Sequence, residues 1–311
     1  MRPEVSVVIS TYNRHDSLAG TIESVLGQKS APEYELIVVD NRSTDETAAL
    51  VQEYARRSDR VRYVFEPQQG VSYGRNAGIA QSTGPVIAFT DDDVLVAEDW
   101  LAAILTAFAE KPEFGCIGGR VLPRWPVPPP HWLTPRHWAA LALLDYGDGQ
   151  PLGAGNRKCL ITANMAVRRE VFERIGYFRP AFQKTAGSTC SIEDRELQER
   201  YWQAGGRCWF DPRIEVYAEV QRFRLEKEYH RRWHFRFGEL QALLKESEFE
   251  MSDWHLFGVP GHVVRRFAEH SAAVCGNVLT GRGEKAFEHE LEARFFAGFM
   301  KMRWRSGTTP S

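Results

Sequence analysis

Three consecutive carboxylates, Asp91-Asp92-Asp93, follow the apolar run Val86-Ile87-Ala88-Phe89-Thr90. Carboxylates are hard oxygen ligands suited to Mg²⁺ or Mn²⁺. An ion held by one or two of them completes its shell with water and substrate phosphates. In an extended segment Asp91 and Asp93 point the same way and Asp92 points oppositely. Asp91 and Asp93 are therefore the candidate metal pair, and the bland alternative is a solvated acidic turn. Asp40 ends a second apolar run, Glu35 to Val39. A carboxylate there can accept a hydrogen bond from a base or a ribose. The turn-rich Asp40-Asn41-Arg42-Ser43 equally suits an ordinary turn Asp. Thr11-Tyr12-Asn13-Arg14 follows a third run, Val5 to Ser10. Tyr12 could stack on a base or be a plain strand-end aromatic.

Arg75 lies in Gly70-Val71-Ser72-Tyr73-Gly74-Arg75-Asn76-Ala77-Gly78 and could pair with a phosphate or with one of the aspartates. These glycines do not follow the first strand, so they are not a dinucleotide fingerprint, and there is no Walker pattern. Glu193-Asp194 opens a predicted helix. A functional acid there would be a general base, and the helix dipole is expected to lower its pKa and keep it ionised. Acids at a helix start are also common for dipole reasons alone. Residues 222–236 carry Arg222, Arg224, Lys227, Arg231, Arg232 and Arg236 against Glu226 and Glu228, with Tyr229, Trp233 and Phe235 between them. Such a stretch could clamp a diphosphate or meet anionic lipid headgroups, or be a solvated amphipathic helix. The proline-rich segment Pro123 to Pro135, with Trp125, His131 and Trp132, reads as a loop. It is either a substrate-side wall or a surface loop packed by its own tryptophans.

The elements that must position these residues alternate. Strands are expected at 5–10, 35–40, 61–65 and 86–90. Helices are expected at about 15–28, from Ser43 or Thr44 as cap to about 57, and at 70–81. Strand-helix alternation implies a parallel sheet with right-handed crossovers, and ligands bind beyond the carboxyl ends of such strands. Asn13, Asp40 and Asp91 to Asp93 all fall there. The second half is less regular. Strand-like residues are expected at 160–167, 207–210 and 214–217, a short helix at 169–175 and another to about Ala204. Gly153 to Asn156 reads as a loop. Beyond about Arg222 the chain turns helical.

The 311 residues fit one large α/β domain or a domain with an appendage, and 43% hydrophobic content excludes a disordered or collagen-like chain. A net charge of −2 argues against a nucleic-acid binder. No apolar run is long enough for a transmembrane helix, and the N-terminus shows no signal segment. Five scattered cysteines without a CxxC pair read as reduced, mostly buried thiols of a cytoplasmic protein.

Taken together, Val5–Arg14 (VSVVISTYNR), Glu35–Asp45 (ELIVVDNRSTD), Gly70–Gly78 (GVSYGRNAG), Val86–Asp93 (VIAFTDDD), Ile161–Glu170 (ITANMAVRRE) and Ile192–Leu197 (IEDREL) resemble the family 2 glycosyltransferases. The order and spacing of these segments over residues 4–220 carry the resemblance. It implies a GT-A fold: an α/β domain with a mostly parallel central sheet flanked by helices. Residues 1–221 would be the catalytic domain, with a nucleotide-binding half at about 1–120 and an acceptor half at about 121–221. Residues 222–311 would be a helical, basic-aromatic extension. The family moves a sugar from a nucleoside diphosphate donor, here expected to be UDP-linked, with inversion. The resemblance implies that Thr11, Tyr12, Asn13, Arg14 and Asp40 surround the nucleoside. Asp91 and Asp93 would hold Mg²⁺ or Mn²⁺ against the diphosphate, with Asp92 near the ribose and Arg75 in the donor site. Asp194 would be the general base. Asn164, Glu193 and Trp132 would face the acceptor: a saccharide, a lipid-linked saccharide or a small aglycone. Arg231-Arg232-Trp233 resembles a basic-aromatic motif placed over the diphosphate.

Direct displacement needs one base and no covalent nucleophile, and no Ser/His/Asp or Cys/His triad is evident. Many relatives carry a His near the metal where this chain has Ala218, so the metal is expected either to lack a side-chain ligand there or to take Glu219 or His230 in its place. Family members with helical tails often lie on the inner membrane face. The competing readings are a catalytically silent sugar-nucleotide binding module and a nucleotidyltransferase. The latter expects a Gly-rich, Arg-containing loop after strand one, and Thr11-Tyr12-Asn13-Arg14 is not that.

Overall fold

The computed structural model describes residues 2–153, 158–183, 190–244, 251–252 and 254–307. Most of the Gly153 to Asn156 loop therefore lies outside the described residues. The chain divides into two compact units: residues 1–126, 142–183 and 193–220, and residues 127–141, 184–192 and 221–311. The single cut expected at 221 is thus replaced by an assignment in which 127–141 and 184–192 belong with the C-terminal part.

The first unit is built on one sheet. Strands β1 (Val5–Thr11), β2 (Tyr34–Asp40), β3 (Val61–Phe65) and β4 (Val86–Asp91) run parallel, in the order β3-β2-β1-β4. Their β-branched residues are buried on both faces, as expected of strands sandwiched between helices. Beyond β4 the sheet continues through β8 (Met165–Arg168), β6 (Cys116–Arg124), β9 (Cys208–Glu219) and β5 (Val94–Val96), with β7 (Gln150–Leu152) also on β9. Here β8 runs antiparallel to β4 and β6, while β6 and β9 are parallel. The two short strands expected at 207–210 and 214–217 are one strand, β9. Its pairing with β6 shifts register between Gly118 and Arg120. The expected strand at 160–167 is a 3₁₀ turn, Thr162–Asn164, followed by β8.

The helices α1 (His15–Leu26), α2 (Thr47–Arg57), α3 (Val71–Gln81), α4 (Trp100–Glu110), α5 (Arg169–Ile175) and α6 (Glu193–Gln203) complete this unit. Ser43 and Thr44 do not cap α2, whose first turn is preceded by Glu46. They instead bond to Asn13: Ser43 Oγ accepts from the Asn13 N–H at 3.0 Å, and Asn13 Oδ1 accepts from the Thr44 N–H at 2.8 Å. Helix α3 lies unusually close to β1. A Cβ on Gly74 would collide with Ser10 Oγ, and one on Gly78 with Val8 Cγ1. These glycines bring a helix backbone against a strand, which is how α3 delivers Arg75 to the end of β4.

The second unit is helical. A 3₁₀ segment, Pro135–Leu141, precedes α7 (Lys227–Leu244), α8 (Gly261–Leu279) and α9 (Gly283–Gly307), with a small hairpin, β10 (His255–Leu256) and β11 (Val259–Pro260), ahead of α8. Its core joins Ala242, Val259, Val263, Phe296, Phe299 and Met300. Among the described residues no helix is long and apolar enough to cross a membrane.

Candidate active site

Arg75 is the centre of the first unit's polar cluster. It is buried, and its guanidinium lies 5.7 Å from the Phe178 ring centroid. Nη1 donates to Glu193 Oε1 at 2.7 Å and reaches Asp194 Oδ1 at 3.5 Å, while Nη2 reaches Asp91 Oδ1 at 3.3 Å. One side chain thus ties the end of β4 to the first turn of α6. Burial alone would depress the guanidinium's pKa, but Asp194, Glu193 and Asp91 raise it above its ordinary value.

Asp194 is fixed from its other side by Thr162. The Thr162 N–H donates to Oδ2 at 3.1 Å and its hydroxyl donates to Oδ1 at 3.0 Å. The Asp194 carboxyl is pushed up to about 7, first by burial and then by the neighbouring Glu193 charge, with Arg75 and the Thr162 N–H acting the other way. This corrects the expectation of a pKa lowered by the helix dipole. A dipole at a helix terminus acts weakly, and here the loss of solvent together with a second carboxylate outweighs it. Glu193 is buried, with Oε2 unpaired.

The acidic run is extended only at Asp91. Residues 92 and 93 form a turn before β5, so the strict alternation of side chains ends there. Asp91 faces Arg75, whereas both Asp92 and Asp93 face Arg14, at 3.9 and 3.8 Å. Burial and the adjacent Asp93 push the Asp92 carboxyl up to about 7, opposed by Arg14. The donor set is two or three hard carboxylates, partly open to solvent. Among the described residues no three His, Cys, Asp or Glu side chains form a metal-binding group. That composition fits a hard cation that takes most of its ligands from water and phosphate. The end of β9 lies beside this turn. Ala218 pairs with Val94, and the Glu219 N–H donates to the Asp93 carbonyl at 3.1 Å. Ala218 is buried and Glu219 exposed.

The β1 and β2 ends are stapled together. Asn13 has φ +51° and makes the two bonds to Ser43 and Thr44 given above. The Arg14 N–H donates to Thr47 Oγ1 at 3.4 Å. Thr11 is buried and Tyr12 exposed. Asp40 is buried with both carboxylate oxygens engaged: Oδ1 accepts from the Ser43 N–H at 2.8 Å and Oδ2 from the Tyr63 hydroxyl at 3.0 Å. The turn-forming alternative for Asp40 is thus the arrangement present, and a ligand would have to share these lone pairs.

Asn164 is not placed to meet an acceptor. It is buried, its Oδ1 accepts from Trp100 Nε1 at 2.8 Å, and its Nδ2 donates to the Arg120 and Ile214 carbonyls at 2.8 and 2.9 Å. The amide is consumed in joining α4, β6 and β9. Thr162 and Phe178 were not singled out from the sequence. Thr162 sits in the same short segment as Asn164, and nothing local distinguishes the residue that holds the carboxylate from the one that braces the sheet.

Trp132, Arg231, Arg232 and Trp233 belong to the second unit. There Trp132 packs edge-on to His230 and Phe287, with ring centroids 5.0 and 5.1 Å apart. Arg231 makes a two-bond ion pair with Glu290 at 2.8 and 3.0 Å. Trp233 is buried and stacks on Phe237 at 4.7 Å, while Arg232 is exposed. His230 is fully buried, and burial pushes it down to about 4. Its Nε2 lies 3.0 Å from the Arg224 carbonyl. It is a core histidine of this unit, which argues against its expected use in place of Ala218.

A family model described as glycosyl transferase family 2 matches residues 6–176. Glucosyl-dolichyl phosphate glucuronosyltransferase of Haloferax volcanii is 25% identical over 226 residues, covering 72% of this chain and 71% of that protein. The matches span only 13% and 33% of two other, longer relatives. Among solved structures, the mannosyltransferase PcManGT from Pyrobaculum calidifontis, in complex with GDP-Man and Mn²⁺, superposes with a TM-score of 0.66. It is 19% identical, over 98% of this chain and 88% of that one. TarS 1–349 of S. aureus in complex with UDP gives 0.56 at 16% identity, over 96% and 91%. These likenesses agree on the GT-A type of fold, and the family model covers more than half of the sequence. The chain belongs to glycosyl transferase family 2.

Proposed function

We propose that this glycosyltransferase moves a sugar from a nucleoside diphosphate donor, UDP-linked, to an acceptor hydroxyl by single displacement with inversion. The observation that carries this reading is the Arg75 cluster, which holds Asp91, Glu193 and Asp194 on one buried guanidinium. Asp194 accepts the proton of the attacking hydroxyl. With its pKa raised to about 7, it is basic enough to compete for that proton and still substantially ionised near neutrality. Thr162 orients the carboxylate, and Arg75 fixes its distance from the end of β4. Asp91 and Asp93 would hold Mg²⁺ or Mn²⁺, which when bound supplies neutralising charge for a departing diphosphate. Arg14 balances the acidic turn, and Tyr12 is the exposed aromatic available to a nucleobase.

A lipid-linked saccharide is the favoured acceptor, because the glucuronosyltransferase relative is named for a glucosyl-dolichyl phosphate. A free saccharide and a small aglycone are the other candidates. The five cysteines are unbridged, and Cys116 and Cys208 are in register on neighbouring strands. This supports a reducing, cytoplasmic setting.

Calorimetry and product analysis test the reading together. Asp194→Asn should keep UDP binding and abolish transfer; unchanged turnover would remove Asp194 as base. UDP should bind more tightly with Mn²⁺ than without it, and Asp93→Ala should reduce that gain. Equal affinity of the wild type in both conditions would remove the metal role. Tighter binding of GDP than of UDP would overturn the choice of base.

A further inference from the structure

Two histidines meet between α8 and α9. His270 Nδ1 lies 3.0 Å from His289 Nδ1, with the ring centroids 5.2 Å apart. The two helices are joined by Thr280, Gly281 and Arg282. Gly281 has φ +71°, the Thr280 N–H donates to the Gly276 carbonyl, and the Arg282 N–H donates to the Asn277 carbonyl. A short, closed helix–helix turn of this kind fixes which residues face each other along the hairpin. His270 stacks on Phe296 with ring centroids 5.9 Å apart, and Phe296 is buried in the core of this unit. Both imidazoles are half-buried. The pair therefore sits at the edge of the core, backed by apolar packing and partly open to water.

Among the described residues no carboxylate is bonded to either ring. The acids adjacent in sequence are engaged elsewhere: Glu269 faces Arg265, Glu288 faces Arg136, and Glu290 is shared by Arg231 and Arg294. The pair is thus not an ion pair with an acid. In its neutral form one Nδ1 carries a proton and donates to the lone pair of the other. With that proton on Nε2 of the same ring instead, two imidazole lone pairs face each other, which is unfavourable unless a cation takes the proton's place. With metal–nitrogen bonds of about 2.05 Å, nitrogens 3.0 Å apart subtend about 94° at an ion. That is near the cis angle of tetragonal Cu²⁺ and Ni²⁺ sites, and a tetrahedral Zn²⁺ needs about 3.3 Å, a few tenths more. Aiming both lone pairs at one ion takes a turn of each ring about Cβ–Cγ, which is a broad torsion. The open side of the pair leaves room for it.

We propose that His270 and His289 form a two-nitrogen site for a divalent transition ion of the imidazole-preferring kind, Ni²⁺, Cu²⁺ or Zn²⁺, which clips α8 to α9. Among the described residues no third His, Cys, Asp or Glu completes the group, so water fills the remaining positions. The displaced proton moves to Nε2 of its own ring, and binding above the imidazole range releases none. The site differs in kind from the acidic turn at Asp91 to Asp93, whose oxygen ligands suit hard ions. It stands apart from the transfer chemistry, since it uses none of the first unit's residues.

Calorimetric titration of the untagged full chain with Ni²⁺, Zn²⁺ and Mn²⁺ salts at pH 8 tests it. Ni²⁺ and Zn²⁺ should each fill a histidine-dependent site, and Mn²⁺, at the weak end of the affinity series, should not. His270→Gln and His289→Gln should each weaken that site by about tenfold or more. The glutamine amide can still bond the remaining Nδ1, so without metal both variants should unfold at the wild-type temperature. Saturating Ni²⁺ should raise the wild-type midpoint by a few degrees and leave both variants unmoved. Affinity should fall as pH drops below about 6.5, where the imidazoles bind protons instead. Ions held by the acidic turn of the first unit are untouched by these substitutions, so they cannot imitate the result. A wild type that takes up neither Ni²⁺ nor Zn²⁺ would overturn the proposal. So would uptake that is equal in the wild type and both variants, or Mn²⁺ binding as tightly as Ni²⁺ at the histidine-dependent site.

Discussion

Asp194 makes a prediction that needs no substrate. Its carboxyl is pushed from the ordinary 3.8 up to about 7 by burial and by Glu193. The folded-state pKa lies above the unfolded one, so the native state holds the proton more tightly. The stability linked to this group is fully present below about pH 4 and is lost as pH rises through about 7. A rise of about three units corresponds to about 4 kcal/mol at most. Asp194→Asn removes the titration but leaves an oxygen to accept from Thr162. The variant's unfolding free energy relative to wild type should therefore climb by a few kcal/mol between about pH 4 and 8, measured by urea denaturation at closely spaced pH values.

Glu193→Gln supplies the second arm. The two carboxylates share Arg75 Nη1 at 2.7 and 3.5 Å. At a separation of roughly 6 Å and an effective dielectric of about 20, their repulsion is about 3 kcal/mol, or about two pKa units. Arg75 offsets part of it. In the Glu193→Gln background the same climb should shift down by roughly one to two pH units and shrink in proportion. A wild-type-to-Asp194→Asn difference that stays flat from pH 4 to 8 would refute the burial argument. A climb unmoved by Glu193→Gln would refute the role given to that neighbour.

Two further expectations concern residues that resembled site groups. Asn164→Ala strands Trp100 Nε1 and the Arg120 and Ile214 carbonyls. It should destabilise the fold by roughly 2–4 kcal/mol, seen as a lower urea midpoint, while a direct acceptor role would instead raise KM in a protein of normal stability. Asp40→Asn removes the charge that, after burial, holds the Tyr63 phenol up at about 12. Ultraviolet titration should then find Tyr63 ionising at lower pH, and an unchanged tyrosine titration would contradict the Tyr63–Asp40 bond.

The half of the fold from β1 to β4 was legible because its β-branched runs are buried on both faces and bounded by turn residues. The other half was not. Strand β6 contains Gly118, Gly119 and Pro123, whose weak strand preference is overridden by pairing with β8 and β9. Asn164 and Thr162 show the limit at the site. Both are polar residues of one 3₁₀ turn, and only the tertiary arrangement separates the brace from the carboxylate holder. The pKa of Asp194 was misjudged for a related reason. Its helix position is local information, whereas its burial and its ion pair depend on Arg75, 119 residues away. The glycines of residues 70–78 do not follow β1, so the sequence offers no dinucleotide fingerprint in them. Their real use, the close approach of α3 to β1, needs the partner strand to be known.

One guanidinium facing three carboxylates leaves the Arg75 cluster short of positive charge. In water the excess would be screened, but in a buried site it must appear somewhere as free energy. It appears at Asp194, whose bonds from Thr162 do not offset burial and Glu193. Such a carboxylate destabilises the folded state when ionised, and for the same reason it binds a proton more strongly than a surface aspartate would. A positioned base gains most when its pKa lies near the working pH. The stability lost to ionisation at high pH and the basicity gained at Asp194 are therefore one quantity seen by two measurements. Substitutions at Glu193 that recover the first should surrender the second in equal measure.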